Sequence, residues 1–350
     1  MRALWMVTPY VKQFATGDNP EQILLRYPIA NTRMRTAVAA VEWKRAGNDN
    51  LLWDPEATGA DRDVDWATVN VCIVPKFYAA TSLEKWYRAC LTAQENHCPI
   101  IIDISDYPFE KAPVIRSFYS EVLKICDAVV VNSERMADLM TPHVSQRPIV
   151  IDDALLGPVR PAEFTPAKRL GLLWLGHPTN LRYLAACLDA LARFAAQRPC
   201  RLTIVTEGEA GAEKIMQDIN ARFAPALQAR FVEWTLESMA EALQKCDLVL
   251  IPNDPSNPVK AGVSANRIAE ALRAGRFPVA SPVPAYLPFS DCGWLGDDLT
   301  DGIRWALANP SEVRARIRQG QSRVAERFEA QKIGQQWCAL LDSRARKQPQ

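Results

Sequence analysis

The feature that most restricts this chain is a unit repeated through both halves: a short apolar run, a polar turn, then a stretch with helical periodicity. Parallel strands joined by crossover helices read this way, because such strands are buried on both faces and need no polar alternation. In the first half, runs at 4–8, 69–74, 100–104, 128–131 and 149–151 predict strands, with helices near 32–46, 83–94, 114–126 and 135–140. In the second half, strands at 172–175, 201–206, 230–234, 248–251 and 278–280 alternate with helices near 181–197, 212–223, 238–245 and 265–274. The expectation is an α/β chain with two parallel sheets. Between the halves, Gly157-Pro158-Val159-Arg160-Pro161-Ala162-Glu163-Phe164-Thr165-Pro166 carries three prolines, which remove backbone donors and stiffen the chain, and marks the expected domain boundary. After Asp301 the sequence turns helical, with recurring apolar positions from Trp305 to Leu341.

With 350 residues and 48% apolar content the chain has material for two cores of ordinary size. Its 41 Lys and Arg against 40 Asp and Glu give no broad field to gather phosphate backbones, which argues against a nucleic-acid partner. The apolar opening is closed by Pro9, too soon for a signal segment, and no later run approaches a membrane span. Nine scattered cysteines lack the close pairs of a zinc site and read as thiols in a reducing cytoplasm. There is no phosphate-binding Walker loop, no Gly-x-Gly-x-x-Gly opening a helix, no Gly-x-Ser-x-Gly elbow and no metal-spaced histidine pair.

The most informative segment is Val259-Lys260-Ala261-Gly262-Val263-Ser264-Ala265-Asn266-Arg267-Ile268-Ala269-Glu270-Ala271-Leu272-Arg273-Ala274-Gly275-Arg276-Phe277-Pro278-Val279. Helical spacing puts Ile268, Ala271 and Leu272 on one face and Asn266, Glu270 and Arg273 on the other, so Glu270 points off the core. Ser264 is expected to cap the helix, whose free N–H groups and positive dipole end suit a diphosphate. The segment resembles the nucleotide-sugar motif of retaining GT-B glycosyltransferases of the family 4 (glycosyl transferases group 1) type. Further stretches resemble the same family in order: Ile101-Ile102-Asp103-Ile104-Ser105-Asp106, Asp127-Ala128-Val129-Val130-Val131-Asn132-Ser133, Leu173-Trp174-Leu175-Gly176-His177-Pro178-Thr179-Asn180, Phe231-Val232-Glu233-Trp234 and Cys246-Asp247-Leu248-Val249-Leu250-Ile251-Pro252. The likeness is strong over about 170–340 and thinner before that.

The resemblance implies a GT-B fold, with two Rossmann-like domains whose parallel sheets face each other across a cleft. It implies an acceptor domain at 1–160, a nucleotide-sugar domain at 166–325 and a terminal helix at 326–345 packing back toward the first domain. It further implies transfer of a sugar from a nucleoside diphosphate sugar to a glycan, lipid-linked or other hydroxyl acceptor, with retention of configuration. Neither metal nor cofactor is expected. Glu270 would hold the ribose, and Lys260, Gly262, Val263, Ser264 and Asn266 would line the diphosphate loop. Gly176, His177, Thr179, Asn180 and Arg182 would share phosphate contacts, His177 also standing as a catalytic candidate, and Trp234 would lie by the base. Asp103 and Asp106, at a strand's carboxyl end, are the candidates for acceptor contact or base catalysis.

Plainer roles compete at each position: Asn180 as an N-cap, Asn132 and Ser133 as caps of the next helix, Asp247 as a tie between helix end and strand start, and Arg33 and Arg35 as solvated surface residues. One departure bears on activity. Gly262 stands where the family has an acid beside the transferred sugar, so a nucleotide-binding scaffold without turnover remains a rival, as does a nucleotide-sugar epimerase. A role in polysaccharide or glycoconjugate assembly follows from the resemblance, and weak peripheral membrane contact through the first domain is compatible with it.

Overall fold

Each of the ten expected apolar runs holds a strand, and runs such as Val71–Val74 and Leu248–Ile251 are buried at every residue. The computed structural model describes residues 1–57, 64–77, 82–257 and 264–346. These fall into two compact units: unit 1 takes 1–156, Ser264 and 327–346, and unit 2 takes 157–257 and 265–326.

In unit 1 the strands are β1 (Arg2–Met6), β2 (Asp49–Trp53), β3 (Val71–Val74), β4 (Ile100–Ile104), β5 (Ala128–Val131) and β6 (Ile149–Val150). They form a parallel sheet in the order β2-β1-β3-β4-β5-β6. Apolar clusters cover both faces, one built around Trp86, Phe118 and Tyr119, the other around Trp5, Trp43 and Trp337. The helix Ala330–Arg344 contributes Ile333, Trp337 and Leu341 to the second cluster, where the Trp5 and Trp337 rings meet edge to face at 6.3 Å. Arg346 beyond it exchanges hydrogen bonds with Asn70.

The expected helix at 32–46 differs in its first part. Thr32–Ala37 winds as a π-helix before Val38–Arg45 continues as an α-helix. The wider turn changes the angular spacing of the side chains and carries Arg33 and Arg35 inward. Contrary to a solvated role, Arg33 is buried and donates to the Tyr27 and Pro28 carbonyls at 2.7 and 2.6 Å, and Arg35 is wholly buried.

Unit 2 contains β7 (Leu170–Leu175), β8 (Cys200–Thr206), β9 (Leu227–Glu233), β10 (Leu248–Ile251), β11 (Phe277–Ala280) and β12 (Trp294–Leu295). Its sheet is parallel throughout, in the order β12-β11-β10-β7-β8-β9. From β7 the chain steps outward through β8 and β9, then crosses back to lay β10 against the other side of β7. This is the doubly wound Rossmann order, and its direction reverses between β7 and β10. A crevice opens at such a reversal because the flanking connections leave toward opposite faces.

Asp247 fixes the opposite end of this β7–β10 pair, its carboxylate accepting from the Gly171 N–H at 2.7 Å while its own N–H reaches the Gly171 carbonyl. The proline-bearing stretch lies along unit 2, with Arg160 N–H donating to the Arg273 carbonyl and Arg273 donating back to Gly157. The helix Asn266–Arg273 stops at Gly275, whose φ of 73° and crowding by the Pro161 carbonyl leave no room for a Cβ.

Candidate functional site

At the carboxyl end of β7, Gly176 sends its N–H to the Val205 carbonyl, and the chain turns through Pro178–Asn180 into the helix Leu181–Gln197. His177 is exposed and makes that turn rigid: Nδ1 accepts from the Thr179 N–H at 3.3 Å and lies 2.9 Å from the Thr179 hydroxyl. A ring whose Nδ1 accepts from a backbone N–H carries its neutral-form proton on Nε2, so it offers a donor rather than a base. Asn180 occupies the N-cap position, but His177, not Asn180, supplies the capping bond of the preceding turn. Arg182 in the next turn is exposed and lies over the Tyr183 ring, its Nη2 2.8 Å from the Tyr183 hydroxyl.

The loop after β10 faces the same edge. Asn253 donates its N–H to Ser281 Oγ at 3.0 Å, joining the ends of β10 and β11. Asp254 is held below the usual carboxylate range by hydrogen bonds from Ser256, with a further contribution from the Arg182 charge.

Helix Asn266–Arg273 follows, with Ile268, Ala269, Ala271 and Leu272 buried against the sheet and Glu270 and Asn266 partly exposed. Its N-cap position belongs to Ala265, which has no side-chain acceptor, so the expected Ser264 cap does not form. Ser264 itself is counted with unit 1. Lys260, Gly262 and Val263, the expected diphosphate loop, lie outside the described residues. Trp234 ends β9, half-buried, with its N–H on the Thr206 carbonyl.

Two residues that the sequence did not single out also belong to this edge. A methyl group built at Gly176 would stand 3.3 Å from the Trp174 indole and 3.7 Å from Nη1 of Arg267. The Arg267 guanidinium therefore comes within contact distance of the β7 loop at Gly176. Nη1 of Arg267 is buried without a hydrogen-bond partner among the described residues, and so is Nδ2 of Asn253.

Unit 1 presents a different arrangement. Asp103, expected near an acceptor, is buried at the end of β4, where Arg35 Nε donates to both carboxylate oxygens at 2.9 Å and Nη2 to one of them at 2.7 Å. Arg35 also donates to Asp153 at 2.8 Å and to the Ile151 carbonyl at 2.7 Å, and its guanidinium lies 5.6 Å from the Trp337 ring centroid. Desolvation opposes the Arg35 charge, but the two carboxylates outweigh it and raise the guanidinium above its ordinary value. Burial pushes the Asp103 carboxyl up, against the pull of Arg35. Asp103 is thus engaged as the counter-ion of Arg35.

Asn132 reaches inward to the Ser105 carbonyl and Asp153, whereas Ser133 caps its helix through the Met136 N–H at 3.1 Å. Asp106 remains half-exposed, paired with Lys76. All nine cysteines are free thiols. Among the described residues no cluster of three or more His, Cys, Asp or Glu is arranged for a metal, and no helix is long and apolar enough to cross a membrane.

Two doubly wound parallel sheets in one chain are the GT-B fold, which the similar solved structures share. Among solved structures, the chain is similar to Anabaena HepE in complex with UDP, with a TM-score of 0.69 at 13% identity over 98% of this chain and 100% of that one. The HepE complex with UDP-glucose aligns at 0.67 over the same shares. The pneumococcal O-GlcNAc transferase GtfA in complex with UDP and GlcNAc aligns at 0.52 and 11% identity, over 81% of this chain and 58% of that one. No protein-family profile and no curated protein sequence matches the chain.

Proposed function

We propose that this protein transfers a sugar from a nucleoside diphosphate sugar to a hydroxyl acceptor, with the nucleotide bound at the carboxyl edge of the unit 2 sheet. The observation that carries the reading is the juxtaposition there of β7 and β10, whose following loops bring His177, Thr179, Arg182 and the Glu270 helix to one switch point. The likeness in fold to HepE, solved with UDP and with UDP-glucose, supports the choice of ligand class.

In this reading Glu270 accepts hydrogen bonds from the ribose hydroxyls and Trp234 lies by the base. His177 Nε2–H, Thr179, Arg182, Asn180 and Lys260 meet the phosphates, and Gly176, Gly262, Val263, Ser264 and Asn266 form the surrounding loop and helix start. Catalysis rests on stabilising the departing diphosphate by these fixed donors, without a metal and with retention at the sugar carbon. In this reading Asp106, half-exposed beside Lys76, rather than the Arg35-engaged Asp103, is the carboxylate that meets an acceptor hydroxyl.

Gly262 favours one rival, a nucleotide-binding protein that does not turn over, because an acid usual beside the transferred sugar is missing. Incubation with labelled nucleotide sugars and glycan or lipid-linked acceptors separates the two. A new glycoside supports transfer, and tight nucleotide binding with no product supports the scaffold. If no nucleoside diphosphate raises the melting temperature, both readings fail.

A further inference from the structure

Three polar groups at the carboxyl edge of the unit 2 sheet are buried without a hydrogen-bond partner among the described residues: Arg267 Nη1, Asn253 Nδ2 and the Thr206 hydroxyl. Arg267 comes from the first turn of the Asn266–Arg273 helix, Asn253 follows β10, and Thr206 ends β8 and is wholly buried. The two nitrogens are obligate donors. A buried donor without an acceptor forfeits its hydration and gains nothing in return, so several such groups brought together at one strand-order reversal mark a place where an incoming acceptor would be favoured. The elements that carry them flank the point where the strand order reverses, between β7 and β10.

Arg267 is further constrained by its neighbour. Its Nη1 would stand 3.7 Å from a Cβ at position 176, so a side chain larger than a methyl group there would crowd the guanidinium. A cation held there, with an N–H short of an acceptor among the described residues, is matched by an oxyanion with several lone pairs.

We propose that Arg267 is a further residue binding the diphosphate of the nucleotide, approaching from the helix side and donating through Nη1 across Gly176, with Asn253 Nδ2 as a second donor. The proposal rests on the reading of the preceding section and assigns its anion-binding group. It predicts that affinity for the phosphate portion, not for the nucleoside, depends on Arg267.

The test is calorimetric titration of the full chain with UDP, GDP, ADP and dTDP, each beside its own nucleoside, for wild type, Arg267→Gln, Arg267→Lys and Gly176→Val. Loss of one charge-assisted contact is expected to weaken the best-bound diphosphate roughly ten- to hundred-fold in Arg267→Gln, with nucleoside affinity unchanged. Arg267→Lys should recover part of the loss, and Gly176→Val, which crowds the guanidinium, should reproduce it in a protein that keeps Arg267.

Equal diphosphate affinity in Arg267→Gln and wild type overturns the assignment while leaving the nucleotide site standing. Equal loss of diphosphate and nucleoside also overturns it, by making Arg267 merely structural. Failure of wild type to bind any of the four diphosphates removes the site reading and this assignment together.

Discussion

The carboxyl edges of the two sheets contain similar materials used in opposite ways. In unit 1 the arginine at the edge is wholly buried and matched: Arg35 meets Asp103, Asp153 and the Ile151 carbonyl, and packs over Trp337. In unit 2, Arg267 keeps a buried N–H without an acceptor among the described residues, beside Gly176, and Asn253 after β10 is in the same condition. The first edge is closed by its own counter-charges, and the second is left with donors in excess. The arginine with complete bonding therefore accounts for stability, and the one with incomplete bonding is the one we propose for binding.

The sharpest way to break this comparison is Arg35→Leu. It strands two buried carboxylates and should cost ~3–5 kcal/mol, read as a lower urea midpoint in equilibrium unfolding. A loss under about 1 kcal/mol would mean that the network is dispensable and the contrast false.

Next in size is Glu270→Ala, which should weaken nucleoside diphosphate binding by about 1.5–3 kcal/mol, the range for a hydrogen bond to a charged acceptor. Titration against wild type decides it, and unchanged affinity would remove Glu270 from the ribose.

Arg267→Gln in the absence of ligand should shift stability by less than about 1 kcal/mol in either direction, because no protein partner is stranded. A loss as large as that of Arg35→Leu would erase the distinction between the two edges.

The smallest effect concerns an exposed pair in unit 2. Asp291 is pulled from its ordinary value to about 2, first by its hydrogen bond with Arg323. Because the folded value lies below the unfolded one, the pair's contribution is present above about pH 4 and is lost as pH falls through about 2. Both side chains are substantially solvated, so the acid-limb slope removed by Asp291→Asn should amount to no more than ~1 kcal/mol.

The fold was legible because parallel strands are buried on both faces, and a continuous apolar run such as Ile100–Ile104 has no competing explanation at that length. Two of the four edge strands escape this signal. β2 opens with Asp49 and Asn50, and β12 spans two residues, so neither offers an apolar run. The inward turn of Arg35 was hidden for another reason: a π-helical stretch shifts the angular spacing on which face assignments depend, and nothing in Thr32–Ala37 announces it.

At the site, the Glu270 helix and the Gly176 loop could be read from local pattern. Arg267 could not, because its proximity to Gly176 is set by the pairing of β7 with β10, elements more than seventy residues apart in sequence. Asp103 misled for the same reason, since its partner Arg35 is 68 positions away.

The helix Ala330–Arg344 has a consequence for how the protein is made. Trp337, Ile333 and Leu341 complete an apolar cluster otherwise built mainly from the first 156 residues, while unit 2 lies between in sequence. On the ribosome, the N-terminal sheet must therefore wait, one face uncovered, until the intervening segment has been synthesised and has had time to fold by itself. Stalled translation at any point before residue 330 releases a polypeptide with that apolar face exposed to chaperones and proteases.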